Sequence, residues 1–133
     1  AFDSTGRLRA REFFILDSVM QTEYAGGNYV IAGGDWNNNP KGFDPAFLPE
    51  GENNVRLNPP MHEKFFRDFR MAYDSSRVTN RFVDIPYKKG ITRVTVADFF
   101  ICSPNILVDD VQVFPTGFRW SDHEKVLLKV KLQ

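Results

Sequence analysis

With 133 residues the chain has the length of one modest domain, and 42% hydrophobic and 14% aromatic content, thirteen phenylalanines included, excludes a disordered segment. Seventeen basic residues balance seventeen acidic ones, so no bulk charge drives association with nucleic acid or an anionic membrane. A single cysteine, Cys102, excludes an intrachain disulfide, and no apolar run approaches the ~20 residues that span a bilayer.

Residues 7–24 predict a helix. Leu8, Glu12, Ile15 and Val19 recur three or four apart, as do Phe13, Leu16 and Met20, with start signals at Ser4-Thr5-Gly6 and a stop at Gly26-Gly27. Tyr29 to Ala32 reads as a short apolar strand covered on both faces. It runs into YVIAGGDWNNN and then Pro40, where the glycines read as a sharp turn off the strand. Residues 37–60, with Pro40, Pro45, Pro49 and Pro59, predict a long loop with a turn of helix near Pro45–Leu48. Met61 to Tyr73 predicts a short helix carrying Phe65, Phe66, Phe69 and Tyr73; residues 74–90 read as irregular. Thr92–Ser103, Val108–Phe114 and Lys125–Leu132 predict strands, the last with Val126, Leu128, Val130 and Leu132 inward and its lysines outward. The expected fold class is α/β (α+β), a mixed sheet with helices on one face.

Three features resist a purely structural reading. Asp98 falls in register with Val94, Val96, Phe100 and Cys102, on a face expected to be apolar, so its carboxylate needs a partner. Ser121-Asp122-His123-Glu124 matches a helix capping box, yet strict alternation follows, leaving an acid and an imidazole at the start of a strand. Asp35 and Asn37 sit at the end of a buried strand, where a rigid scaffold presents reactive groups.

Gly34-Asp35-Trp36-Asn37 resembles the G-D-(F/W/S)-N motif of the endonuclease/exonuclease/phosphatase superfamily of metal-dependent phosphohydrolases. Ala97 to Ser103 looks like its I-D-(Y/F)-(I/V)-(L/F)-x-S strand, and Ser121-Asp122-His123 with Val126 looks like its closing S-D-H-x-P-V, with Lys125 in place of proline. The three motifs stand in family order.

The resemblance implies half of a four-layer αββα sandwich, the C-terminal half alone, with the N-terminal half absent. The chain opens Ala-Phe-Asp without a methionine and reads as a piece of a longer protein, so its localisation stays open. The implied activity is water attack on a phosphoester, assisted by Mg2+ or Mn2+. Asp35 would orient and deprotonate the water, and Asn37 would hold Asp35 and a phosphate oxygen. His123, as imidazolium, would stabilise the pentacovalent phosphorus, with Asp98 orienting it and Asp122 serving the metal. Further metal ligands belong to the missing half, so the fragment is expected to be nearly inactive. An apolar sheet face is expected to pair with that half or with a second copy.

For substrate, a nucleic acid, a phospholipid head group and a small phosphodiester stay open. Val96-Ala97-Asp98-Phe99 departs from the inositol phosphatase and apurinic-site branches. Arg77, Asn80 and Arg81 are candidate phosphate or head-group ligands. Trp36 and Trp120 read as core or wall packing beside the site, Cys102 as core and His62 as surface. The rival class is a non-catalytic phosphate-binding or interaction module on the same fold.

Overall fold

The computed structural model describes residues 5–48 and 55–133; Ser4 and the 49–54 part of the expected loop lie outside them. Helix α1 spans Arg7–Ala25. It ends where expected, because Gly27 adopts φ 87° and donates its N–H to the Tyr24 carbonyl. Of the two apolar rows in α1, Phe13, Met20 and partly Leu16 enter the core, while Leu8, Ile15 and Val19 stay exposed.

Strand β1 is Ile31–Asp35, so it continues through both glycines instead of turning off at Ala32. It pairs antiparallel with β5, Asp98–Cys102, which pairs on its other side with β2, Arg70–Ala72. The expectation that both faces of the first strand are covered is corrected: β1 is a sheet edge and most of it is exposed. Gly33 belongs in the strand because the Phe100 ring lies over it; a Cβ there would sit 2.5 Å from Phe100 Cδ1. Gly33→Ala should lower the unfolding free energy. Overpacking costs ~1–3 kcal/mol, against ~0.5–1 kcal/mol gained in backbone entropy, and urea unfolding measures the balance.

The helix expected over 61–73 does not form. Phe66 adopts φ 49°, which no helix tolerates, and two successive turns run from His62 to Phe69. They still bury Phe65, Phe66 and Phe69, and the chain then extends as β2. A single 3₁₀ turn, Pro45–Phe47, occupies the predicted place, with the Asp44 carboxylate accepting from Ala46 N–H.

The strand expected over 92–103 is broken into β4, Val94–Thr95, and β5. β4 pairs with β3, Asn80–Arg81, inside a segment that otherwise lacks strand. The break lies at Val96–Ala97. Asn39 Nδ2 donates to the Val96 carbonyl (2.8 Å), and Thr79 Oγ1 accepts the N–H groups of Ala97 (2.9 Å) and Asp98 (3.0 Å). Strands β6 (Ile106–Phe114) and β7 (Lys125–Leu132) form an antiparallel pair of their own.

The fold is α+β, and every ladder among the described strands is antiparallel, so the mixed sheet is corrected; parallel pairing is confined to single bridges. β5 is covered on both sides. Phe99 and Ile101 pack with α1 and the phenylalanine turns. Phe100 and Cys102 pack against Val111, Leu128 and Val130 of the β6–β7 pair, so Cys102 is core as expected.

Candidate active site

β1 and β5 bring Asp35 opposite Asp98 at the end of their ladder. Two carboxylates facing each other repel unless a cation or proton intervenes. His123 intervenes. Its Nδ1 lies 2.9 and 3.1 Å from the two oxygens of Asp98, and its Nε2 lies 3.9 Å from Asp35 Oδ2 and 3.9 Å from Asp122 Oδ2. Asp98 thereby has the partner that its place in the strand demanded, and the capping-box reading of residues 121–124 gives way to a strand.

β3 is the bracket that holds this arrangement. Arg81 N–H donates to the Asp122 carbonyl (2.9 Å) and Glu124 N–H to the Thr79 carbonyl (2.8 Å), which clamps His123 against Asn80. Thr79, buried, seats Asp98 from the same bracket. Sequence reading passed over Thr79; its only signal was a hydroxyl residue within an otherwise irregular, polar RVTN stretch. It also passed over Glu124, which is buried and accepts from Thr116 N–H (2.9 Å), Thr116 O–H (2.7 Å) and Phe118 N–H (2.9 Å). Glu124 therefore organises the loop before β7 from the face opposite His123.

Asp35 is held by its neighbour. Asn37 adopts a left-handed φ of 51°, a conformation asparagine accepts, and its backbone N–H (2.8 Å) and Nδ2 (3.2 Å) donate to the two Asp35 oxygens. Trp36 points the other way, buried on Phe99 with its indole N–H on the Phe99 carbonyl (2.9 Å). Asn38, Asn39 and Pro40 are buried anchors more than turn residues, Asn39 tying the loop to Thr95 and Val96. Trp120 packs on neither core nor site wall: it is 78% exposed, under the Arg119 guanidinium. His62 is exposed, as expected.

The three residues grouped as phosphate ligands separate. Asn80 reaches the site: its Nδ2 donates to the Asp122 carbonyl (3.1 Å) and lies 3.1 Å from His123 Nε2. A carbonyl only accepts, so this contact sets the amide's orientation and turns its second N–H toward Nε2. When the ring is neutral, that arrangement places its proton on Nδ1, toward Asp98, and leaves Nε2 to accept. Arg81 spends its guanidinium on the Phe82 and Ile85 carbonyls. Arg77 lines a different groove.

Burial pulls the His123 pKa down, but the hydrogen bond and charge of Asp98, helped by Asp35 and Asp122, outweigh it and leave the imidazole above its ordinary value. Burial also dominates at Asp98, raising its carboxyl above the usual range despite the opposing pull of His123 and Thr79. Both groups thus bind protons more tightly folded than unfolded. Each contribution to stability is full below the unfolded pKa, 3.8 for Asp98 and 6.5 for His123, and is lost as pH rises through the higher folded value. Urea midpoints should therefore carry two downward components with rising pH, one above 3.8 and one above 6.5, and His123→Gln should abolish the upper one. An upper component that persists in that variant would assign the effect elsewhere.

Among the described residues, no three histidine, cysteine or carboxylate side chains are arranged to hold a metal ion. Asp35 and Asp122 nonetheless bring carboxylate oxygens to the same ring nitrogen, and a partial oxygen set suits magnesium, which keeps most of its waters. No family model, curated protein or solved structure matches the chain.

Proposed function

We propose that the chain carries part of a divalent-metal-dependent phosphodiesterase site of the endonuclease/exonuclease/phosphatase type, on half of a four-layer αββα sandwich. The observation that carries this reading is the convergence of Asp98, His123, Asp35 and Asn37 at the end of one ladder. Asp98 holds the His123 ring from Nδ1 and favours its protonated form, whose charge would stabilise the reacting phosphate. Asp35, fixed by two hydrogen bonds from Asn37, takes a proton from the attacking water, and Asn37 steadies a phosphate oxygen.

Three carboxylates around one imidazole make the site negative, and a phosphate approaches it only with a cation. Asp122 and Asp35 would hold a divalent cation, Mg2+ or Mn2+, which when bound would supply that neutralisation and polarise the phosphoryl group. The remaining ligands come from upstream sequence, and the chain by itself turns over slowly or not at all. The exposed apolar row Leu8, Ile15 and Val19, with Leu107, Phe114 and Leu127 on the β6–β7 pair, offers surface for that partner or for a second copy.

Two measurements test this. Magnesium titration should shift the amide resonances of Asp35, Asp122 and His123 together, and their silence would overturn the metal assignment. Any turnover of bis(p-nitrophenyl) phosphate with magnesium or manganese should vanish in Asp35→Ala and His123→Ala; turnover that survives both sinks the mechanism.

A further inference from the structure

Between the loop that precedes β7 and the 77–89 segment lies a shallow, open groove of about 70 Å³ whose lining includes Arg77, Lys89, Tyr87, Pro115, Phe118 and Glu124. Its charge does not follow from its neighbours. Arg77 and Lys89 are both exposed, and neither has a hydrogen bond or ion pair with any of the described residues. The one carboxylate in the wall, Glu124, is buried and already accepts three hydrogen bonds from Thr116 and Phe118. It is spent on the loop and unavailable to either cation. Phe118 is buried, and Tyr87 meets it edge-on with ring centroids 4.8 Å apart, giving the groove a stiff aromatic wall. Two cations with no partner among the described residues, beside a partly apolar wall, suit an anion.

We propose that this groove is a second anion site, separate from the Asp98–His123 pair, which binds a phosphate group between Arg77 and Lys89. Arg77 offers a planar fork that grips two phosphate oxygens, and Lys89 a compact point charge. The site stands apart from the proposed catalytic reading, since no residue of the groove belongs to it. It is nevertheless near: Arg77 is three residues from Asn80, at most ~10 Å along an extended backbone.

The experiment is an amide-resonance titration of the full chain without added metal, using inorganic phosphate in one arm and adenosine 5′-monophosphate in the other. Saturable shifts at Arg77, Lys89, Gly117 and Phe118 are expected, with those at Asp35 and His123 small. The Arg77→Ala, Lys89→Ala double variant changes only exposed side chains and should weaken binding at least tenfold, while Asp35→Ala should leave it unchanged. Equal affinity in the two arms identifies free phosphate as sufficient; tighter nucleotide binding adds a ring against the Tyr87–Phe118 wall. No saturable shift, an unaltered titration in the double variant, or shifts centred on His123 would overturn the proposal. A silent groove leaves the catalytic reading standing, and loss of phosphodiester turnover in the dyad variants leaves the groove standing.

Discussion

Thr79→Val should destabilise the chain by on the order of 2–6 kcal/mol, because it strands two backbone donors at about 1–3 kcal/mol each. The Thr79 hydroxyl oxygen accepts from Ala97 N–H at 2.9 Å and Asp98 N–H at 3.0 Å, and the residue is 1% exposed, so water has no route to replace it. Valine keeps the shape and removes the acceptor. A loss of that size is a large share of the ~5–15 kcal/mol that holds a domain together. The same hydroxyl favours the ionised Asp98 carboxylate, so the variant should also disturb the His123 ring. Thr79→Ser should restore most of the stability, because it retains the oxygen. Urea unfolding of the two variants decides the matter. A small loss with valine and a large one with serine would mean that packing of the methyl group, and not the hydrogen bonds, is what counts.

On the proposed phosphodiesterase reading, Asp98→Asn should lower whatever turnover the parent shows by about 10²–10⁴-fold, with thermal unfolding changed far less. The substitution keeps size but removes the charge that favours the imidazolium, and it allows an amide N–H to face His123 Nδ1. The ring proton would then move to Nε2, into the N–H of Asn80 3.1 Å away. Nitrogen chemical shifts of the His123 ring, read where the imidazole is neutral, would report the wrong tautomer directly. Turnover within a few-fold of the parent would remove Asp98 from the mechanism and leave it a structural partner of His123.

Local patterns carried a good deal of this molecule. Helix α1 and its glycine stop, the alternation in β7, the turn at Pro45–Phe47 and the misfit of Asp98 are all written in spacing. They depend on neighbours close in the chain, and local chemistry decides them. The demand that Asp98 find a partner followed from the cost of burying an unpaired carboxylate. That cost left the kind of partner open; His123 followed from the motif resemblance alone, and the fold seats it on Asp98.

The rest depended on contacts distant in sequence. Two apolar rows on α1 were equally periodic, and only the phenylalanine turns and β5 select Phe13 and Met20 over Ile15 and Val19. The 61–73 segment carries enough phenylalanine for a helix face, yet the left-handed Phe66 and the free edge of β5 make its end a strand. The strand over 92–103 is interrupted by side chains from residues 39 and 79, which no reading of that stretch alone contains. Asn80, Arg77 and Arg81 looked alike as polar residues in one loop. β3 sends Asn80 to the imidazole, while Arg81 turns to backbone carbonyls and Arg77 to a separate groove. The sequence by itself determined which side chains could carry charge or exchange a proton, since that is a property of each residue type. Which of them meet was decided only by the tertiary structure, because the antiparallel register that sets Asp35 against Asp98, and the β3 bracket that lays His123 between them, join residues scattered along the chain.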